Sequence, residues 1–173
     1  MPTATESTMP ERLRALLFLN GFGLIVAAVV SGWAWFFNLL GEIVLWPIPG
    51  SIQVQIPGDA RAWRMAHMEG ITQGLLLMAL GLGGQFLRLR ARQHTVLFWC
   101  AVTTAWLFTL PTMLHPLFGT RGLAFGGGPF KPGIENDVLY LIGWPPVIAV
   151  HVMLFLTIVG VWRYLRGGEA LGR

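Results

Sequence analysis

Residues 64 to 74, RMAHMEGITQG, set His67 and Glu69 at the mouth of a long apolar run. An imidazole ligates metals or carries protons, and a carboxylate acts as a base or a counter-charge. Both are costly inside a membrane span, so each calls for a role. Two further histidines, His115 and His151, lie in apolar runs, whereas His94 adjoins Arg88, Arg90 and Arg92 and reads as an interfacial residue. On a helix, positions 67, 70, 71 and 74 share one face, so His67 looks out above Gly70 and Gly74. Two accounts fit that stripe. In the first, the glycines make a small-xxx-small helix contact and His67 hydrogen-bonds a neighbour. In the second, a flat macrocycle lies on the smooth surface with His67 as axial ligand of its iron. Glu69 falls about 200° around the helix from His67, so the two form no local acid–base pair. Near the interface, it reads as facing headgroup water or accepting from Arg61 or Arg64. No histidine or carboxylate stands four residues after His67, which argues against zinc. His115, just before Pro116 at a helix end, and His151 both read as residues that join helices.

The elements that must position these groups are set by composition. Of 173 residues, 54% are hydrophobic and only 12% charged, which places the chain in a bilayer rather than in water. Four stretches are long and apolar enough to cross about 30 Å of hydrocarbon, giving expected helices over 13–40, 65–87, 94–117 and 138–163. They use most of the chain, so the expected fold is all-α, one integral membrane four-helix bundle over 13–165. A polar tail over 1–12, mobile over its first ten residues, and a short one over 166–173 flank it. The first apolar run is too long for a signal peptide and ends in aromatics, so it is expected to stay in the mature protein. Arg12, Arg14, Arg88, Arg90, Arg92, Arg163, Arg166 and Arg173 fall at the termini and in the second loop, while Arg61, Arg64, Arg121 and Lys131 fall in the other two. The positive-inside bias then puts both termini in the cytoplasm of a bacterial-type inner membrane. The net charge of +4 reports this topology and contact with anionic lipid, and gives no reason to invoke nucleic acid.

Between the first two spans, Pro47, Pro49, Pro57, Gly50 and Gly58 exclude a continuous helix, leaving a long external loop in which SIQVQI alternates like a strand. The loop after the third span is rich in glycine and proline, yet Leu123, Phe125 and Phe130 favour burial, so it reads as an ordered lid over the external helix ends. Most tryptophans sit near span ends and fit the interfacial belt. Trp106, inside the third span near Phe108, either lines a pocket or fills the core. Cys100 is the single cysteine, and reads as packing.

Two stretches carry a family resemblance. In IPGDARAWRMAH (56–67) the Pro-Gly turn, the tryptophan and the Ala-His step, with Gly74 beyond, and then RGLAFG (121–126) with FKPG (130–133), stand in the order and spacing of styrene oxide isomerase. The sequence resembles that family of small four-helix membrane enzymes. The resemblance implies a homotrimer with haem b (Fe3+) at the subunit interfaces, held by His67 over Gly70 and Gly74. It implies a Meinwald rearrangement of a small apolar, aryl epoxide to an aldehyde or ketone by 1,2-hydride shift, with iron as Lewis acid and no net redox change. The family's asparagine six residues past the ligand is Gln73 here, and its aspartate and tyrosine of the third helix are Thr104 and Thr112. Trp106 matches. Gln73, Thr104, Trp106 and Thr112 are therefore the catalytic-pocket residues that the resemblance implies. The rival reading is a b-type cytochrome subunit, with His67 and either His115 or His151 ligating one electron-transfer haem, and a haem-free packing subunit is a third.

Overall fold

A computed structural model describes residues 6–169. In chain order they form α1 (Glu11–Leu40), β1 (Glu42–Ile43), β2 (Ile52–Gln53), α2 (Ala60–Gly83), a 3-10 turn (Gly84–Phe86), α3 (Ala91–Phe118) and α4 (Ile134–Glu169). At about 1.5 Å per residue, each α-helix is longer than the roughly 30 Å hydrocarbon core. Among the described residues, α1, α3 and α4 are both long and apolar enough to cross a membrane. α2 has the length, but His67, Glu69, Thr72 and Gln73 dilute its hydropathy. Leu19, Val26, Val30, Leu82, Phe155 and Ile158 point outward and are exposed, a surface suited to lipid and not to water. This is an all-α membrane protein.

The helices pack in chain order, α1 on α2, α2 on α3 and α3 on α4, while α4 scarcely reaches α1 or α2. Leu17, Leu24, Leu77, Leu97 and Met153 fill the core. The bundle is thus closed on the α1–α2 side and open between α2 and α4.

Local chemistry moves several boundaries. α2 begins at Ala60 and not at 65, because the Asp59 carboxylate accepts from the Ala62 N–H at 2.8 Å and caps the first turn. α4 begins at Ile134 and runs past 163 to Glu169, so positions 166–169 are helix and not tail. Positions 170–173 lie outside the described residues. At the other end, 1–5 lie outside them too, while 6–10 are docked and not a mobile tail. Ser7 and Leu89 exchange both backbone hydrogen bonds at 3.1 Å, Met9 is buried, and Glu6 pairs with Arg163 at 2.7 Å. That docking buries His94 completely, its Nε2 against the Ser7 carbonyl at 2.9 Å. The expectation of an interfacial His94 is corrected.

The loop between α1 and α2 closes as a hairpin of two-residue strands, β1 against β2 antiparallel with Ile43 opposite Ile52, and Asn38 at the end of α1 donates to the Ile56 and Gly58 carbonyls at 2.7 and 3.0 Å. The loop after α3 is pinned to α4. Thr120 donates to Asn136 at 2.6 Å, Asn136 donates to the Ala124 carbonyl at 2.8 Å, and Asp137 accepts from the Gly126 N–H at 2.8 Å. The ordered loop is as expected, but Leu123 and Phe125 are exposed and Phe130 only half-buried.

Candidate functional site

α2 presents two chemically different faces. His67, Gly70, Gly74 and Gly81 follow a helical stripe that meets α1. A Cβ at Gly70 would stand 2.9 Å from the Ala28 Cβ, one at Gly74 2.8 Å from the Gly21 carbonyl, and one at Gly81 2.9 Å from the Arg14 carbonyl. The glycines let two helix backbones touch, the arrangement that drives association in lipid. Within the chain, α1 covers Gly70 and Gly74, so they do not offer a bare surface to a macrocycle.

His67 sits at the outer end of this stripe, half-buried. Its Nδ1 lies 2.8 Å from the Ala28 carbonyl of α1. A carbonyl only accepts, so Nδ1 carries the proton and donates. In the neutral ring Nε2 then keeps its lone pair, and no hydrogen bond to Nε2 occurs among the described residues. A histidine with one nitrogen anchored on a carbonyl and the other free is the arrangement of a metal-bound imidazole. Gly32 makes room for it, since a Cβ there would come within 2.8 Å of Nδ1. Trp35 flanks the ring at 6.2 Å between centroids. No cluster of three or more His, Cys, Asp or Glu placed to hold a bare ion occurs among the described residues, so a metal at Nε2 would need most of its ligands from a non-protein group. His67 is the residue that could hold such a group.

The opposite face of α2 looks into the gap that α4 leaves. A cavity of about 400 Å³ opens there, walled by Met65 and Glu69 of α2, Phe108, Thr112 and His115 of α3, Arg121 of the loop, and Tyr140 and Trp144 of α4. Glu69 therefore faces this cavity, not headgroup water, and it accepts from the Gln73 amide at 2.9 Å rather than from Arg61 or Arg64. Sequence reasoning missed this cavity. The spacing of Met65, Glu69 and Gln73 on one face was visible, but nothing in it said that α4 would stand away.

Thr112 lines the cavity, with its hydroxyl donated to the Phe108 carbonyl at 2.5 Å. Gln73 joins the site through Glu69, and its buried Oε1 has no partner among the described residues. Thr104 is buried in the bundle with its hydroxyl equally unpartnered. Trp106 faces α1 instead of the cavity, donating its indole N–H to Asn20 at 2.9 Å and packing against Gly23. The four implied pocket residues are thus not brought together in one chain. Nor are the histidines. His67 meets α1, His115 lines the cavity, and His151 stands exposed on α4 with Nδ1 against the Val147 carbonyl at 2.6 Å.

The comparison with known families bears directly on these positions. A family model described as styrene oxide isomerase matches residues 13–162, a span that reaches from α1 into α4 and includes the loops between them. The chain belongs to the styrene oxide isomerase family. No curated protein matches it. Membership gives the motif residues a physical reading. In the isomerase stretch IPGDARAWRMAH, Gly58 takes φ +109° and presses on the Pro116 carbonyl, where a Cβ would come within 2.8 Å. Asp59 caps α2, and Trp63 donates to the Pro57 carbonyl at 3.0 Å. In RGLAFG, Gly122 takes φ +58° against Leu139, and the Arg121 guanidinium lies 5.3 Å from the Phe130 ring centre. These residues hold the rim of the bundle at the start of α2, and so fix where His67 stands along it.

Proposed function

We propose that this isomerase-family chain converts a small apolar, aryl epoxide to an aldehyde or ketone, with haem b held by His67 Nε2. The observation that carries the reading is the imidazole anchored through Nδ1 on Ala28 with Nε2 left free, in a chain whose family is that of styrene oxide isomerase. When bound there, ferric haem b would supply a Lewis acid for the epoxide oxygen.

The chain's own residues supply the rest. The Ala28 carbonyl fixes the tautomer and orientation of His67, and Gly32 leaves the ring its place. The cavity walls exclude water, which would otherwise intercept positive charge developing on the substrate carbon and give a diol. Phe108, Tyr140 and Trp144 offer π faces to that charge. His67 and the cavity lie on opposite faces of α2, so one chain does not place them side by side. The reading includes the homotrimer that the resemblance implies, in which residues of a neighbouring copy would complete the site around His67. The bilayer of an inner membrane, with both termini cytoplasmic, would deliver an epoxide that partitions into lipid.

The test uses detergent-purified ferric protein. Absorption and EPR spectra are expected to show haem with an exchangeable axial position, and gas chromatography to show aryl aldehyde formed without oxygen or reductant. Turnover that depended on NADH or oxygen, a bis-histidine low-spin spectrum, or no Soret band would each overturn the proposal.

A further inference from the structure

The cavity between α2, α3 and α4 holds polar groups that an apolar epoxide does not use. Glu69 spends one oxygen on Gln73, while the other has no partner among the described residues. His115 lines the same cavity, and its Nδ1 is buried without a partner. Pro111 and Pro116 lie inside α3. Each removes the N–H that would bond the carbonyl four residues earlier, at Leu107 and Thr112, and both of these line the cavity. Leaving such groups unpaired in a membrane protein costs free energy. The remaining walls, Phe108, Tyr140 and Trp144 among them, are aromatic.

We propose that this cavity is a binding site for a small aromatic molecule carrying a hydroxyl group, with Glu69 accepting the hydroxyl proton and His115 bonding its oxygen. A hydroxyl is both donor and acceptor, so one group satisfies the carboxylate and the imidazole together. An ammonium group is the poorer match, because Arg121 stands in the same wall. Phe108 and Trp144 provide flat faces for the ring, and a volume of about 400 Å³ has ample room for one substituted benzene. The inference deepens the isomerase reading, on which it rests for its role: the preferred epoxide would bear a hydroxyl on its aromatic ring.

The test is binding to the full-length protein in detergent, by isothermal titration with 4-ethylphenol and ethylbenzene. These differ by one hydroxyl, and comparing their ratio between variants cancels partition into the micelle. In the unmodified protein the phenol is expected to bind on the order of tenfold more tightly relative to ethylbenzene than it does in Glu69→Gln or His115→Phe. Ethylbenzene binding should persist in both variants, which shows that the cavity is intact. An unchanged ratio in both variants, or loss of ethylbenzene binding together with phenol binding, overturns the proposal. Repeating the titration with His67→Ala separates the two readings. The phenol preference should survive there although haem is lost, whereas an unmodified protein that keeps the preference but carries no haem refutes the cofactor and leaves the cavity assignment standing.

Discussion

The two faces of α2 do opposite things with one helix. Toward α1 it is all backbone contact, with Gly70, Gly74 and Gly81 so close to their neighbours that no methyl group fits, and the one polar side chain, His67, is tied to a carbonyl. Toward α4 it is open, and Glu69, Gln73, Thr112 and His115 stand at or near a void with bonding capacity to spare. Helices in lipid gain nothing by hiding apolar surface from one another, so close packing of small residues decides where they touch. Toward α4 even Gly143 meets no neighbour, and a gap survives. A metal ligand belongs on the rigid face, because its direction must not wander, and ligand recognition belongs on the open one.

The largest effect expected along this contrast is at His67. His67→Ala should abolish the Soret band and bring epoxide isomerisation to background, while Cys100→Ala should change neither; retention of normal haem by the His67 variant would sink the assignment of the rigid face. Next comes Gly70→Leu. Its side chain would have to enter the space of Ala28 and Leu24, and overpacking of this kind costs about 1–3 kcal/mol, visible as a lowered midpoint of thermal unfolding by circular dichroism. A melt no lower than that of the unmodified chain would mean that α1 and α2 do not touch there. A smaller effect is expected from Gly32→Ala, which crowds Nδ1 without removing the ligand. Haem affinity should fall roughly tenfold, as it does when the outer partners of metal-bound histidines are disturbed, and haem titration would read it. The smallest change is on the open side. A Cβ at Gly143, inside α4, meets nothing within 4 Å, so Gly143→Ala should raise stability by about 0.5–1 kcal/mol through helix propensity alone. A clear loss in that variant would show the cavity to be filled and would erase the contrast.

Several features were legible in the residues themselves. Runs free of charge marked four helices, and Asp59 beside Ala60 is a capping signal that would have moved the start of α2 had it been weighed. Both readings of the stripe below His67 were open, and the contacts of Gly70 and Gly74 follow the helix-packing one. His94 was misplaced because its arginine neighbours suggested an interface, whereas the backbone pairing of Ser7 with Leu89 depends on a strand contact that no local pattern announces. Glu69 was misplaced for a related reason. Its angle from His67 was correct, but the neighbour on that side was unknown.

What the sequence by itself determined is the one-dimensional part: an all-α membrane chain, its approximate spans, its family, and a histidine in line with two glycines on one helix. Only the tertiary structure decided which partner each face of α2 receives. The physical reason is that in a bilayer both core-facing and lipid-facing residues are apolar, so the pattern that orients a helix in water is nearly erased. Backbone contact at Gly70 and Gly74 and the standing-off of α4 are properties of packed helices, and they set apart an anchored imidazole from an open cavity about half a turn around the same helix.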